Sequence, residues 1–336
     1  MCDSFSAHLM PLINSSFAPG QAQATVDAFQ DPDQRQIAQA ELYYFSGHAQ
    51  ECRNIAELYL QDKDLCLRLS AGLLYSFSNL TLGNPSASRM GFRNIQECLR
   101  LAEENSASEE VMASCVFAGY LATVLMHLPA DGLPPLKDFL PYLPAGIRAY
   151  AIYILAHNAY LNEEYERALG LCQSVFLMLD GCYPIAMEYL YCVIIMCLNN
   201  QKKHEEAREI LMKAWNMAKP DGFLEPFIEH HGLMLGQIEA CIKPTEPENY
   251  KRLSQAVIAF SRGWMDIHNP QLQSSVTDKL TPMEFSIAML ASKGWTNREI
   301  ADHLSMSVNT IKHYLSRIFQ TLGVEKREEL KPFVNK

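Results

Sequence analysis

The sequence lacks the motifs of the common enzyme and switch classes. No G-x-x-x-x-G-K-[ST] loop is present to cradle a nucleotide phosphate. No G-x-S-x-G elbow occurs, and no cysteine has an obvious histidine partner by sequence. The alternating strands and helices of a phospho-receiver are missing as well. We therefore expect a protein that is not an enzyme and that carries no cofactor.

Features of secreted, membrane and metal-binding proteins are equally scarce. The ten cysteines include no C-x-x-C pair and lie mostly in apolar stretches, which indicates small buried side chains rather than disulfides. Adjacent His230 and His231 point about 100° apart on a helix, so they predict no metal site. The first Lys or Arg is Arg35, and no apolar run of membrane-spanning length occurs. These absences predict a cytoplasmic protein without a membrane span.

The net charge of −10 is unevenly distributed along the chain. Residues 275–336 hold nine Lys and Arg against seven Asp and Glu, a net charge of +2. The rest of the chain holds 19 Lys and Arg against 31 Asp and Glu, a net charge of −12. Such asymmetry indicates separate functions for the two parts. Because a weakly basic unit releases few counterions, tight binding to DNA would need two copies on one site.

The periodicity of the chain after residue 35 is almost entirely helical, and no stretch alternates as strands do. The predicted fold class is therefore all-α. Residues 1–34 mix Ser, Pro, Gly, Gln and Asp, and they predict a flexible N-terminal arm. Residues 268–277 have linker composition. They separate a predicted helical domain at 35–267 from a C-terminal unit at 278–336.

Two helical pairs in the long domain indicate an internal repeat. A helix ends near Asn162, the chain turns, and a small residue, Ala168, follows inside the next helix. The same arrangement recurs 39 residues later with Ala207, and residues 46–49 fit a third copy. This pattern resembles degenerate tetratricopeptide repeats, in which small residues let paired helices pack closely. An ordinary helical bundle is the alternative.

The C-terminal unit contains start and stop signals for three short helices. Each start has a Thr or Ser whose side chain can accept a backbone hydrogen bond, and the second start has the spacing of a capping box. Each glycine at a stop can adopt the positive φ that ends a helix. The predicted caps are Thr281, Thr296 and Ser307, and the predicted terminating glycines are Gly294 and Gly323.

The third of these helices has one apolar stripe and one face of hydrogen-bond donors. The stripe recurs at steps of three and four and consists of Val308, Ile311, Leu315, Ile318 and Leu322. The opposite face contains no acidic residue and consists of Asn309, Lys312, His313, Ser316, Arg317 and Gln320. Such a helix suits the major groove of DNA. A solvated helix face would have similar polarity, so polarity alone does not decide between the two.

The motifs of this unit resemble the LuxR/FixJ-type helix-turn-helix. The resemblance rests on Leu-Thr-Pro-x-Glu, Asn-x-Glu-Ile-Ala-x-x-Leu, Ser-x-Asn-Thr-Ile-Lys-x-x-Leu and Leu-Gly-Val, in register and with the family spacing. It implies a four-helix domain with Glu284 as a structural glutamate. It also implies that Lys312, His313 and Ser316 contact base edges. Phosphates would be held by Asn309, Thr310 and Arg317. Thr296 and Asn297 would anchor the scaffold helix.

Two positions depart from the family pattern. Met283 stands where the family commonly has Arg, and Thr321 stands where it commonly has Lys. Each departure removes a positive charge near the duplex, so we expect modest affinity from the isolated unit. Pro332 shortens the segment that forms the fourth helix, often a dimer contact in the family.

The segment Gly222-Phe-Leu-Glu-Pro-Phe227 resembles the C-terminal sensor region of MalT-like regulators. The resemblances together imply a transcriptional regulator that binds double-stranded DNA in the major groove, as a homodimer. Its tetratricopeptide-like helical domain would sense a small molecule, a peptide or a partner protein. The alternative is a protein-interaction scaffold whose helix-turn-helix does not bind DNA.

Overall fold

The computed structural model describes residues 8–126, 132–268 and 279–334, and regular structure within these ranges is helical throughout. The predicted all-α class is confirmed. The predicted linker, 268–277, lies outside the described residues except for its first residue. The first ten helices are α1 (Ala22–Ala28), α2 (Pro32–Phe45), α3 (Ala49–Tyr59), α4 (Leu65–Thr81), α5 (Pro85–Glu104), α6 (Glu109–Val124), α7 (Ala145–Leu161), α8 (Tyr165–Met178), α9 (Pro184–Asn200) and α10 (His204–Ala218).

The remaining helices complete the long domain and form the C-terminal unit. They are α11 (Glu225–His230), α12 (Gln237–Thr245), α13 (Pro247–His268), α14 (Pro282–Ser292), α15 (Asn297–His303), α16 (Val308–Leu322) and α17 (Lys331–Val334). Short 3-10 turns precede α11, α12 and α17. They are Lys219–Asp221, His231–Met234 and Arg327–Leu330, and two more lie between α6 and α7 at Leu136–Asp138 and Leu140–Tyr142.

Three turns between paired helices share one backbone geometry. Gly47, Glu163 and Lys202 each adopt positive φ, at 80°, 61° and 62°. In each turn the next residue donates its N–H to the carbonyl five residues earlier, at 2.7 Å after Gly47 and at 2.9 Å after the other two. This is the Schellman way of ending a helix. The last two turns lie 39 residues apart, which is the spacing of the predicted repeat, and the same geometry also ends α4 at Gly83 and α5 at Ser106.

The helices stack in the order that a repeat array requires. Helix α7 packs against α8 and α9, and α9 packs in turn against α10. Ala168 and Ala207, the predicted small positions, are fully buried. Because their side chains end at Cβ, the paired helices can approach closely at these points. The region is therefore helical and repeat-like.

The N-terminal segment differs from the loose arm that its composition predicted. Leu9, Leu12 and Ile13 are buried in the main core. The backbone N–H groups of Leu12 and Ile13 donate to the two carboxylate oxygens of buried Glu41, at 2.8 and 3.0 Å. Burial raises the pKa of Glu41 to about 8. The polar composition was misleading because its few apolar residues are the ones that insert into the core.

Apolar side chains form two clusters with different memberships. The larger one runs from Leu9 to Phe260 through the long domain. The smaller one consists of the buried side chains of the C-terminal unit together with Leu235, which belongs to the long domain. The core of the C-terminal unit is thus completed by a residue from outside it.

Within the described ranges, no helix is long and apolar enough to cross a membrane. The nine cysteines that the structure describes are free, and eight of them are buried. These cysteines act as small apolar side chains, as their sequence context predicted.

Gly263 is required where α13 crosses α4. A Cβ at this position would lie 1.9 Å from the carbonyl oxygen of Leu80, whereas a Cβ at Gly170 in α8 would meet nothing within 4 Å. We expect Gly263→Ala to lower the free energy of unfolding by about 1–3 kcal/mol, because backbone must move. Gly170→Ala, the matched control, should raise it by up to about 1 kcal/mol. Urea denaturation of both variants measures this, and equal effects would contradict the close crossing.

Candidate nucleic-acid interface

Helices α14 and α15 both begin with capping boxes, whereas the sequence predicted a box only for α15 and a simple Thr281 cap for α14. The Thr281 hydroxyl accepts from the N–H of Glu284 at 3.3 Å, and Glu284 accepts from the N–H of Thr281 at 2.9 Å. The corresponding bonds between Thr296 and Glu299 measure 3.2 and 2.7 Å. The hydrogen bond from the Thr296 N–H is the main reason that the pKa of Glu299 falls to about 2. Both starts are therefore fixed locally.

Helix α16 buries one side against α14 and α15. Its N-cap, Ser307, accepts from the N–H of Thr310 at 3.0 Å, and Gly323 ends it at a φ of 70°. The buried positions are Ile311, Leu315, Ile318 and Leu322. Val308, which the stripe also included, is 36% exposed because it lies in the first turn, beyond the edge of the core.

The other side of α16 carries the residues predicted to contact DNA, and all of them are exposed. They are Lys312, His313 and Ser316, predicted for base edges, and Asn309, Thr310 and Arg317, predicted for phosphates. Thr296 and Asn297 lie at the start of α15, exposed and half-buried respectively. Six donors thus share one accessible face of one helix, with two more at the start of the helix packed against it.

Arg317 is held in place by a buried carboxylate. Its Nε lies 3.0 Å from Oε1 of Glu284, which is buried, whereas the Arg317 side chain is 70% exposed. The other oxygen of Glu284 accepts from the N–H and the hydroxyl of Thr281. Glu284 therefore caps α14 and orients Arg317 while most of the guanidinium group stays accessible. This gives a physical basis to the structural role that the resemblance implied for Glu284.

Arg327 is a positioning residue that the sequence reasoning missed. Its guanidinium group donates to the carbonyl of Trp295 and to Oδ1 of Asn297. With its oxygen occupied, the Asn297 amide is oriented so that its NH₂ group is left as the free donor. No local motif indicates this contact, because 30 residues separate the two side chains. The only sequence signal for this role was a positively charged residue in the turn before α17.

The helix-turn-helix unit docks on the long domain through α15. Nε2 of His303 donates to the carbonyl of Leu235 at 2.7 Å, and His303 is buried. Leu235 and Gly236 both have positive φ, so the chain turns sharply and presents this carbonyl outward. Burial is the main reason that the pKa of His303 falls to about 4. The hydrogen bond to Leu235 opposes the fall, and His204 and Arg208 contribute to it. His303 is therefore neutral near pH 7.

Side chains at the ends of α9 and α10 complete this contact. The ring of His204 lies 4.5 Å from the ring of Trp295 and 4.7 Å from that of His303, centre to centre. Nζ of Lys202 lies 3.2 Å from Oε1 of Glu299, and Nζ of Lys293 donates to Asn200 at 3.0 Å. These contacts involve α15 and the end of α14. The polar face of α16 stays exposed.

The histidines that follow Glu229 are occupied by structural partners. Nδ1 of His230 donates to the carbonyl of Pro226 at 2.7 Å, so its Nε2 accepts from the hydroxyl of Tyr153 at 3.0 Å. Nε2 of His231 lies 2.6 Å from Oε1 of Glu239, and both side chains are buried. Among the described residues, no three His, Cys, Asp or Glu side chains are grouped to hold a metal ion.

Residues 278–333 match the protein family described as "Bacterial regulatory proteins, luxR family". The C-terminal domain is a LuxR-type helix-turn-helix. The match ends one residue before the last described residue and includes all four helices of the unit. The resemblance drawn from the short motifs is thereby confirmed for this domain.

Two relatives extend the similarity beyond this domain. The chain is 26% identical over 155 residues to the HTH-type transcriptional regulator MalT of Serratia proteamaculans (strain 568), which covers 40% of this chain and 17% of that protein. It is 25% identical over 143 residues to the MalT regulator of Klebsiella pneumoniae subsp. pneumoniae, covering 38% of this chain and 16% of the relative. The matches thus span less than a fifth of these relatives. No solved structure matched the chain.

The His303 contact makes docking of the LuxR-type domain sensitive to acid. Between pH 6.5 and 4 the undocked imidazole binds a proton that the docked one excludes. The contribution of His303 to docking is therefore fully present above this range and is lost as the pH falls through it. At pH 5.5 the loss should be about 1 kcal/mol. Urea unfolding at pH 7 and at pH 5.5 measures this loss as a difference in the free energy of unfolding.

The matched variant for this test is His303→Gln, whose amide supplies a donor that does not titrate. The variant should lose about 1 kcal/mol less than the wild type between the two pH values. An identical pH dependence in both proteins would show that His303 does not control the acid sensitivity.

Proposed function

We propose that this protein is a sequence-specific DNA-binding transcriptional regulator, with α16 entering the major groove. The observation that carries the proposal is the accessible face of α16, which offers only uncharged or basic donors. Lys312 and His313 would donate to base acceptors, and Ser316 could serve either a donor or an acceptor. The LuxR-type fold and the name shared by both relatives support this proposal.

The remaining residues of the interface would hold the DNA backbone. Asn309, Thr310 and Arg317 flank the base-reading positions on α16, and Thr296 and Asn297 begin the scaffold helix. Backbone N–H groups and short polar side chains at a helix start suit a phosphate. Arg317, already oriented by Glu284, would meet a phosphate with little loss of side-chain freedom.

We further propose that the domain through residue 267 senses a small molecule, a peptide or a partner protein, and that 268–277 links it to the DNA-binding unit. The packed residues 8–34 would belong to this sensory domain. The polar face of α16 is accessible while the unit is docked, which favours control of the unit's placement or of dimerisation over simple masking.

A homodimer on DNA follows from the weak positive charge of the DNA-binding unit. Leu330, at the end of the 3-10 turn before α17, and Val334, in α17, are buried in the core of their own unit. This favours a dimer contact elsewhere, and the exposed side chains of Leu177 and Met178 at the end of α8 are available for one.

The scaffold alternative predicts a different surface on α16. A protein interface would present large apolar or aromatic side chains at its centre, whereas this face presents Lys, His, Ser and Arg. The accessible donors therefore favour DNA.

Selection from a random DNA pool tests the base-reading role of Lys312. Full-length protein should enrich one sequence motif, and Lys312→Ala should relax that motif and cost about 1–3 kcal/mol of affinity. A variant that keeps the same motif would remove Lys312 from the base-reading set. If the wild type enriches no sequence at all, the scaffold reading is preferred.

Arg317→Ala provides the contrasting variant on the same helix face. A phosphate contact carries no sequence information, so this variant should bind all sequences more weakly while keeping the same motif. The slope of log affinity against log salt should also fall by about one. A changed motif would instead assign Arg317 to a base edge.

A further inference from the structure

A cavity of about 160 Å³ lies between the long domain and the LuxR-type domain. One side is formed by α11, the 3-10 turn that follows it, and α13. The other side is formed by α14 and α17. The two sides are in close contact at its rim, where a Cβ on Gly232 would lie 3.0 Å from the ring of Phe285. Both domains therefore form the walls of this partly open cavity.

The walls of this cavity are largely aromatic. The long domain contributes Phe77, Phe260 and Trp264, and the LuxR-type domain contributes Phe285 and Phe333. A dry cavity of about 150 Å³ in another protein holds one benzene molecule, so this one accommodates a single ring with a short substituent. Faces of aromatic rings also attract organic cations.

One carboxylate, that of Glu229, lies in this aromatic wall. Its Oε1 accepts from the hydroxyl of Tyr44. Its Oε2 has almost no accessible surface, and the hydroxyl of Tyr189 lies beside it and favours its ionised form. Burial raises the pKa of Glu229 to about 7. Burial disfavours the ionised carboxylate, and a cation bound beside it would relieve that cost.

We propose that this cavity binds a small organic ammonium ion, about one ring in size, whose charge pairs with Glu229. An ionised carboxylate only accepts hydrogen bonds, so its complement is a donor, and a cationic donor gives the stronger bond. The aromatic rings would surround the apolar part of the ligand and the carbons next to nitrogen. A ligand carboxylate would be repelled by Glu229.

Such a ligand would bridge the two domains. It would contact α11 and α13 on one side and Phe285 of α14 on the other, so it would stabilise the docked arrangement relative to any open one. An effect of the ligand on DNA recognition rests on the proposed function, whereas binding of the ligand to the cavity does not.

Calorimetric titration of the full-length protein with benzylamine tests the proposal without DNA. Benzyl alcohol and benzoate are the neutral and anionic comparisons of similar shape, and 2-phenylethylamine and butylamine vary the apolar part. We expect at least one amine to bind and benzoate not to bind. Glu229→Gln should weaken amine binding at least about tenfold while leaving benzyl alcohol within about twofold.

Two further variants keep the test interpretable. Glu188→Gln removes a fully buried carboxylate on α9, away from the cavity, and should leave amine binding unchanged. Val257→Phe fills the cavity while keeping Glu229, and should abolish binding of amine and alcohol alike. Far-UV circular dichroism confirms that each variant is folded.

Three results would overturn the proposal. They are amine binding that survives in folded Glu229→Gln, benzoate binding as tightly as benzylamine, and no binding by any of the three amines. Because no DNA is present, none of these results bears on the proposed DNA recognition. Conversely, if the protein binds an amine but enriches no DNA sequence, the amine site stands and its proposed effect on DNA recognition does not.

Discussion

Helices α14 and α15 are packed on both of their sides, and this packing fixes where α16 lies. One side of this pair supports α16, and the other rests on the turn at Leu235 and Gly236. The fit at that turn is close, since a Cβ on Gly236 would lie 2.7 Å from Cδ2 of Leu304. With both sides of the pair occupied, the buried stripe of α16 has one place to pack. Its donor face must then point away from the long domain.

This constraint connects the proposed DNA contacts with the sensory domain through a few residues. Glu299 caps α15, the helix whose first residues are proposed to meet phosphate, and it also pairs with Lys202 at the end of α9. His303, at the other end of α15, is fixed by a carbonyl of the long domain. A change in the docking surface would therefore move α15 as a unit and carry α16 with it. The interdomain cavity lies at the same junction.

Local signals were sufficient to predict the helix-turn-helix. Thr281, Thr296 and Ser307 act as caps through contacts three residues away, and Gly294 and Gly323 end helices through their own backbone. Such interactions leave short sequence patterns. The 39-residue repeat was visible for the same reason, since its turns are also local.

Long-range contacts could not be predicted in this way. The burial of the segment around Leu12 depends on Glu41, and the orientation of Asn297 depends on Arg327, each about 30 residues away. The cavity requires side chains from α4, α11, α13, α14 and α17 at once, so no single stretch indicates it.

Docking and the proposed DNA recognition use opposite faces of the LuxR-type domain. Hydroxyl-radical footprinting of side chains, with and without the DNA selected by the full-length protein, tests it most directly. DNA should protect His313 on α16 while Trp295 and Phe285 stay equally protected in both states. Increased labelling of Trp295 and Phe285 upon DNA binding would contradict the claim, because it would show that the domain must undock to bind.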